Sequence, residues 1–177
     1  MLERLERIFR LGGYLAVVGF LAVRGYSLLD QRRSFPGNPS EEAAALIGKA
    51  VSVPGYQDGF AGATAVFVMS TSCHFCTASA PFYHKLTTEV ALRTKGNFRS
   101  IAVLPEDPTL SNAYVKVLGV NFDSVQQGRL AGVRATPTLL LLDGRGIVKK
   151  VWVGQIPPAE EERVIAAILK TSGVSAN

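Results

Sequence analysis

A chain of 177 residues with 47% hydrophobic and 19% charged content is long enough for one domain with a real core plus an appended segment, and too apolar to be disordered. Its two cysteines cannot build a disulfide-stapled scaffold, so packing must hold the fold. The net charge of +5 is uneven: residues 1–33 hold six arginines against three acids, which suits an anionic membrane surface, and the balanced remainder has no basic stripe, which excludes a nucleic-acid binder.

Leu11 to Val23, LGGYLAVVGFLAV, is uncharged and lies between Arg10 and Arg24. Thirteen residues fall short of a membrane span of roughly 20. Extension to Ile8 and Leu29 reaches that length if both arginines snorkel, with Tyr14 and Tyr26 near the interfaces. Residues 1–29 are read as an N-terminal membrane helix of a single-pass inner-membrane protein, with the large domain extracytoplasmic or periplasmic. A cleaved signal peptide leaving a secreted domain is one alternative, although no A-x-A site follows the apolar core. A buried amphipathic helix is the other. Residues 30–40, DQRRSFPGNPS, have linker composition. Residues 41–177 are assigned to the domain, with Ser40 as a helix cap before Glu41 and Glu42.

Ala63 to Ser70 is a short apolar, β-rich run suited to a strand buried on both faces. Phe82, Leu86 and Val90 then recur at helical spacing, so a helix is expected from about Cys73 to Thr94, kinked at Pro81 and ended at Gly96. Phe98 to Leu104 reads as a strand, and residues 105–131 as two short helices around Gly119. Thr138–Leu142 and Ile147–Val153 read as strands flanking a turn. A last helix after Pro157-Pro158 should bury Val164, Ile165, Ile168 and Leu169. This order implies an α/β sandwich with a mixed sheet.

The segment STSCHFCTASAPFY carries both cysteines three positions apart, between the first strand and its helix. At a helix N-terminus, free N–H groups stabilise the Cys73 thiolate, and Cys76 lies one turn further in. That makes Cys73 the nucleophile and Cys76 the resolving thiol of a redox couple. Two structural thiols or metal ligands are the bland alternative. His74, when protonated, would stabilise the Cys73 thiolate and make the disulfide more oxidising; otherwise it is an exposed residue in contact with substrate. Phe75 reads as an apolar substrate-facing or packing residue rather than a chemical one. His84 is eight residues beyond Cys76 on one helix, about 12 Å along its axis, too far to close a metal site.

These residues resemble the thioredoxin-like superfamily over roughly residues 45–172. Pro81 resembles its helix-kinking proline, Thr136-Pro137 its cis-proline before a hairpin strand, and Gly154 the glycine after its last strand. The insertion at 105–131, the membrane-proximal start and GKAVSVPGY at 48–56 resemble the TlpA/ResA-type branch of membrane-tethered thiol–disulfide proteins. The resemblance implies a thioredoxin-like sandwich with its central mixed β-sheet flanked by helices, and a redox-active Cys73–Cys76 disulfide with no other cofactor. It also implies Pro137 beside that disulfide, Thr136 offering backbone to a substrate strand, protein thiol or disulfide substrates, and a membrane or periplasmic electron-transfer partner.

Three departures stand out: Ser72 replaces the tryptophan that often precedes the motif, Phe67 a buried Asp of thioredoxin, and Ser79 a Glu of ResA-like proteins. The acceptor of the Cys76 proton is therefore water or an acid elsewhere, or resolution is slow. A Cu(I)-handling module using both thiolates is the non-enzyme alternative. A peroxiredoxin-like peroxidase is a weaker one, because Ser70 matches that family's hydroxyl position but Val66 stands at its proline position.

Overall fold

The computed structural model describes residues 37–174, so the segment read as a membrane anchor and most of the linker lie outside the described residues. Among the described residues no helix is long and apolar enough to cross a membrane. The first helix, α1 (Pro39–Ala44), is capped two residues earlier than expected, by Asn38, whose side chain accepts the Ser40 N–H at 3.1 Å. Pro39 takes the first helical position, where an N–H has no partner to lose. Glu41 and Glu42 remain in the first turn.

Five strands form one mixed sheet: β1 (Ala63–Val68), β2 (Phe98–Leu104), β3 (Ser124–Gln127), β4 (Thr138–Asp143) and β5 (Val148–Val153), in the order β3-β2-β1-β4-β5. β1 runs parallel to β2, β2 parallel to β3, and β4 antiparallel to both β1 and β5. The central β1 is buried at every position, which explains an apolar run without alternation. Side chains still alternate between faces. Phe67 and Met69 pack with Leu139 and Leu141 on the helical face, and Val66 and Val68 pack with Leu140 and Leu142 on the other.

The helical face is covered by α3 (Ala80–Thr94), α4 (Pro108–Leu118) and α5 (Pro158–Thr171). All four core residues expected on α5 are at most 1% exposed. Val53, Leu130 and Val133 cover the opposite face. The helix expected from Cys73 to Thr94 is divided into α2 (His74–Ala78) and α3, with Ser79 between them. Pro81 has no N–H to continue the ladder. Ser79 fills the break, its hydroxyl donating to the Phe75 carbonyl at 2.8 Å and its own carbonyl accepting the Tyr83 N–H at 3.0 Å.

A further expectation fails. Residues 105–131 hold a single helix, α4, ended by Gly119 in the left-handed region at φ 67, and the expected second helix is absent. β3 follows instead. Its sequence SVQQ lacks any apolar period because it is a short edge strand, defined by pairing to β2 rather than by burial. Asp123 secures its start by accepting from the Ser100 N–H at 2.7 Å and hydroxyl at 2.8 Å.

Candidate active site

The parallel strands β1 and β2 end together, and the loops beyond them carry the chemistry, as is general for open α/β sheets. Residues 70–72 leave β1 and deliver Cys73 to the N-cap of α2 in extended conformation, φ −89 and ψ 109. The Cys73 N–H donates to the Ser70 carbonyl at 3.1 Å, and its carbonyl accepts from the Cys76 N–H at 3.1 Å. This turn leaves Cys73 half-buried and Cys76 fully buried, both as free thiols.

Across the motif, the Thr136–Pro137 peptide bond is cis, as the resemblance implies. Pro137 is buried, and its carbonyl accepts the Gly154 N–H at 2.7 Å, where Gly154 adopts φ 88. The Cys73 thiol donates to the Thr136 carbonyl at 3.3 Å. Phe75 is 57% exposed, and the exposed His74 ring lies at a steep angle to it with centroids 5.7 Å apart. His84 is exposed on α3.

The two sulfurs are electrostatically different. Partial burial pushes the Cys73 thiol up, but hydrogen bonds from the Thr136 side chain, the Cys76 thiol and the backbone of Cys76 and Phe75 outweigh it, leaving Cys73 below the ordinary 9.0. Burial pushes Cys76 the other way, up to about 12, reinforced by its hydrogen bond to Cys73; the Ser70 backbone partly offsets this. Cys73 alkylation should therefore rise with pH and level off around a midpoint below 9.0. In Cys76→Ala the midpoint should move upward, because the side-chain donor to Cys73 is gone. A midpoint at or above 9.0 in the wild type would remove the electrostatic basis of the assignment.

Glu106, just beyond β2, was not singled out from the sequence. Its Oε1 accepts from the Ser70 hydroxyl at 2.6 Å and the Thr71 N–H at 3.0 Å, while Oε2 is buried without a partner. Burial pulls its pKa up, but the bonds from Ser70, its own backbone and Thr71 prevail, and the carboxyl lies below 4.5. The clamp's contribution to stability is thus fully present above the unfolded value near 4.5 and is lost as pH falls through the lower folded value. One signal could have revealed it: in parallel register Val68 faces Val103, so Thr71 and Glu106 lie equally far beyond the paired ends.

This carboxylate is an acid near the motif, but it is a poor base for Cys76. A proton would have to leave a thiol near 12 for a carboxyl held below the ordinary carboxylate range, which is strongly uphill. Nor is the Ser70 hydroxyl free for peroxide chemistry, since it is bound to Glu106. Tyr114, whose hydroxyl lies 3.1 Å from that of Thr77, is pushed up chiefly by burial and further by the charges of both cysteines.

No family model matches the chain, and no curated protein matches it by sequence. Solved structures do. A Chlorobium tepidum protein provisionally named thiol:disulfide interchange protein DsbE superposes with TM-score 0.53 at 20% identity, covering 73% of this chain and 84% of that one. A secreted thiol-disulfide isomerase from Corynebacterium glutamicum gives TM-score 0.53 at 12% identity over 63% of this chain and 71% of that one. Another thiol-disulfide isomerase from that organism gives 0.50 at 16% identity over 68% and 92%. Sheet order, the helix break at Ser79, the cis bond and these superpositions agree: the chain has the thioredoxin-like fold.

Proposed function

We propose that this protein is a membrane-tethered, extracytoplasmic thiol–disulfide oxidoreductase that exchanges disulfides with protein substrates through Cys73 and Cys76. The observation that carries this reading is the asymmetry of the pair: Cys73 stands half-buried at the N-cap of α2 with its thiol on the Thr136 carbonyl, and Cys76 lies fully buried one turn inside. Cys73 attacks a substrate disulfide, one substrate sulfur leaves, and a mixed disulfide remains. Cys76 then attacks the Cys73 sulfur, forming the Cys73–Cys76 disulfide and releasing the second substrate thiol. An electron-transfer partner at the membrane or in the periplasm restores the dithiol. No cofactor beyond the cysteine pair enters this scheme. Exposed Phe75, and Thr136 with Pro137 opposite Cys73, are assigned to substrate contact; His74 is assigned to tuning.

The test is reduction of an accessible protein disulfide by the purified chain supplied with dithiothreitol. Stoichiometric, tight Cu(I) binding with negligible exchange would favour the copper-handling alternative instead. Tethering rests on the apolar run at 11–23. A reporter enzyme active only outside the cytoplasm should work when fused after Asn177, and the full-length protein should resist a carbonate wash of membranes. Release as a species shorter by about 25 residues would establish signal cleavage.

A further inference from the structure

We propose that Glu106 is a positioning residue for the resolving cysteine, acting through Ser70. This inference rests on the exchange reading above and deepens it. Ser70 is the junction between the two sulfurs: its backbone bonds the Cys76 sulfur, and its carbonyl accepts the Cys73 N–H at 3.1 Å. Residues 70–72 belong to neither β1 nor α2, so strand and helix ladders leave their conformation open. Glu106 closes that gap from the end of β2. It takes the Ser70 hydroxyl at 2.6 Å and the Thr71 N–H at 3.0 Å on one oxygen, and Ser70 in turn bonds the Ser72 hydroxyl at 3.0 Å.

The buried, unpartnered Oε2 fits this role. Leaving a buried carboxylate oxygen without a protein donor is costly, and the two bonds made by Oε1 offset that cost. Proton acceptance does not account for the carboxylate, since its proton affinity is held down while that of Cys76 is pushed up. Holding Ser70 does, because the Ser70 backbone bonds the Cys76 sulfur and favours its thiolate against the burial that opposes it. Glu106 thereby acts on the second step, where Cys76 must ionise, and leaves the first to the donors around Cys73.

The experiment separates the two steps without needing a protein substrate. The full-length protein is reacted at Cys73 with an aromatic disulfide reagent: the Cys73 thiolate breaks the reagent's S–S bond, expels one aromatic thiolate and keeps the other half as a mixed disulfide. Attack by the Cys76 thiolate on the Cys73 sulfur then forms the intramolecular disulfide and expels a coloured aromatic thiolate, with the Cys76 proton passing to solvent. Both rates are measured in wild type, Glu106→Ala, Glu106→Gln, Ser70→Ala and the Glu106→Ala/Ser70→Ala double variant. Glu106→Ala should slow release about tenfold while capture at Cys73 changes less than about threefold. Glu106→Gln keeps an acceptor oxygen and should restore release even if its melting temperature falls. Ser70→Ala should slow release similarly, and the double variant should be no slower than either single one.

Release at the wild-type rate in Glu106→Ala would overturn the proposal. So would equal slowing of both steps, which marks a purely structural role, or additive effects in the double variant. If the wild type releases the aromatic thiolate but reduces no protein disulfide, the exchange reading fails while the role of Glu106 is still measured.

Discussion

Cys73→Ser should lose disulfide exchange by on the order of a thousandfold or more, whereas Cys76→Ser should keep the attack and accumulate the mixed disulfide. The two outcomes differ because only one sulfur is ionised to a useful extent. At pH 7 a thiol near 12 is thiolate in about one molecule in 100,000, whereas the Cys73 thiol is held below its ordinary value and ionises far more readily. A more basic thiolate is intrinsically faster, but with a Brønsted slope of about 0.4–0.5 this returns only part of the lost thiolate fraction. Cys76 is also fully buried. Stopped-flow reduction of a protein disulfide, with non-reducing electrophoresis of the products, measures both variants. Full activity in Cys73→Ser, or no trapped adduct in Cys76→Ser, would reverse the roles.

Phe67→Ala should destabilise the domain by about 3–5 kcal/mol, a large share of the roughly 5–15 kcal/mol that holds a typical domain. Phe67 is the penultimate residue of the central strand β1 and is 1% exposed. Its ring meets Tyr83 of α3 edge-on at 5.0 Å and Phe122, just before β3, at 5.0 Å. Truncation empties a space bounded by a strand, a helix and a loop on different parts of the chain, which cannot collapse together. A drop in melting temperature on the order of 10 °C is expected. Phe67→Asp should be worse, since an ionised carboxylate there would lack partners. The Cys73 alkylation midpoint should hold in Phe67→Ala below its melting temperature. Destabilisation under about 1 kcal/mol would contradict the central packing role.

Much of the fold was legible because its signals are local. The span of β2 agrees with the expected one residue for residue, since an apolar run between Gly96-Asn97 and Pro105 has clear ends. The face of α5 followed from spacing alone. Pro81 announced a disturbed helix, because a missing N–H breaks the ladder wherever the helix packs. The cap at Asn38 was misplaced by two residues, since Asn and Ser are both good caps and Pro39 decides between them by needing the first position. β3 was missed because an edge strand of four polar and small residues carries no periodicity of its own.

The sequence by itself determined the strand–Cys-x-x-Cys–helix order, and with it which cysteine stands at the start of the helix and which lies a turn inside. That order depends on connectivity and helical pitch, which neighbouring residues set. Only the tertiary structure decided what surrounds the pair. The Thr136 carbonyl reaches Cys73 from 63 residues away, and Glu106 reaches Ser70 from 36. Glu106 precedes Asp107, which caps α4, so in sequence it reads as one more acid at a helix start. The parallel register of β1 and β2 carries it to the loop before Cys73, and long-range pairing of that kind leaves no local trace.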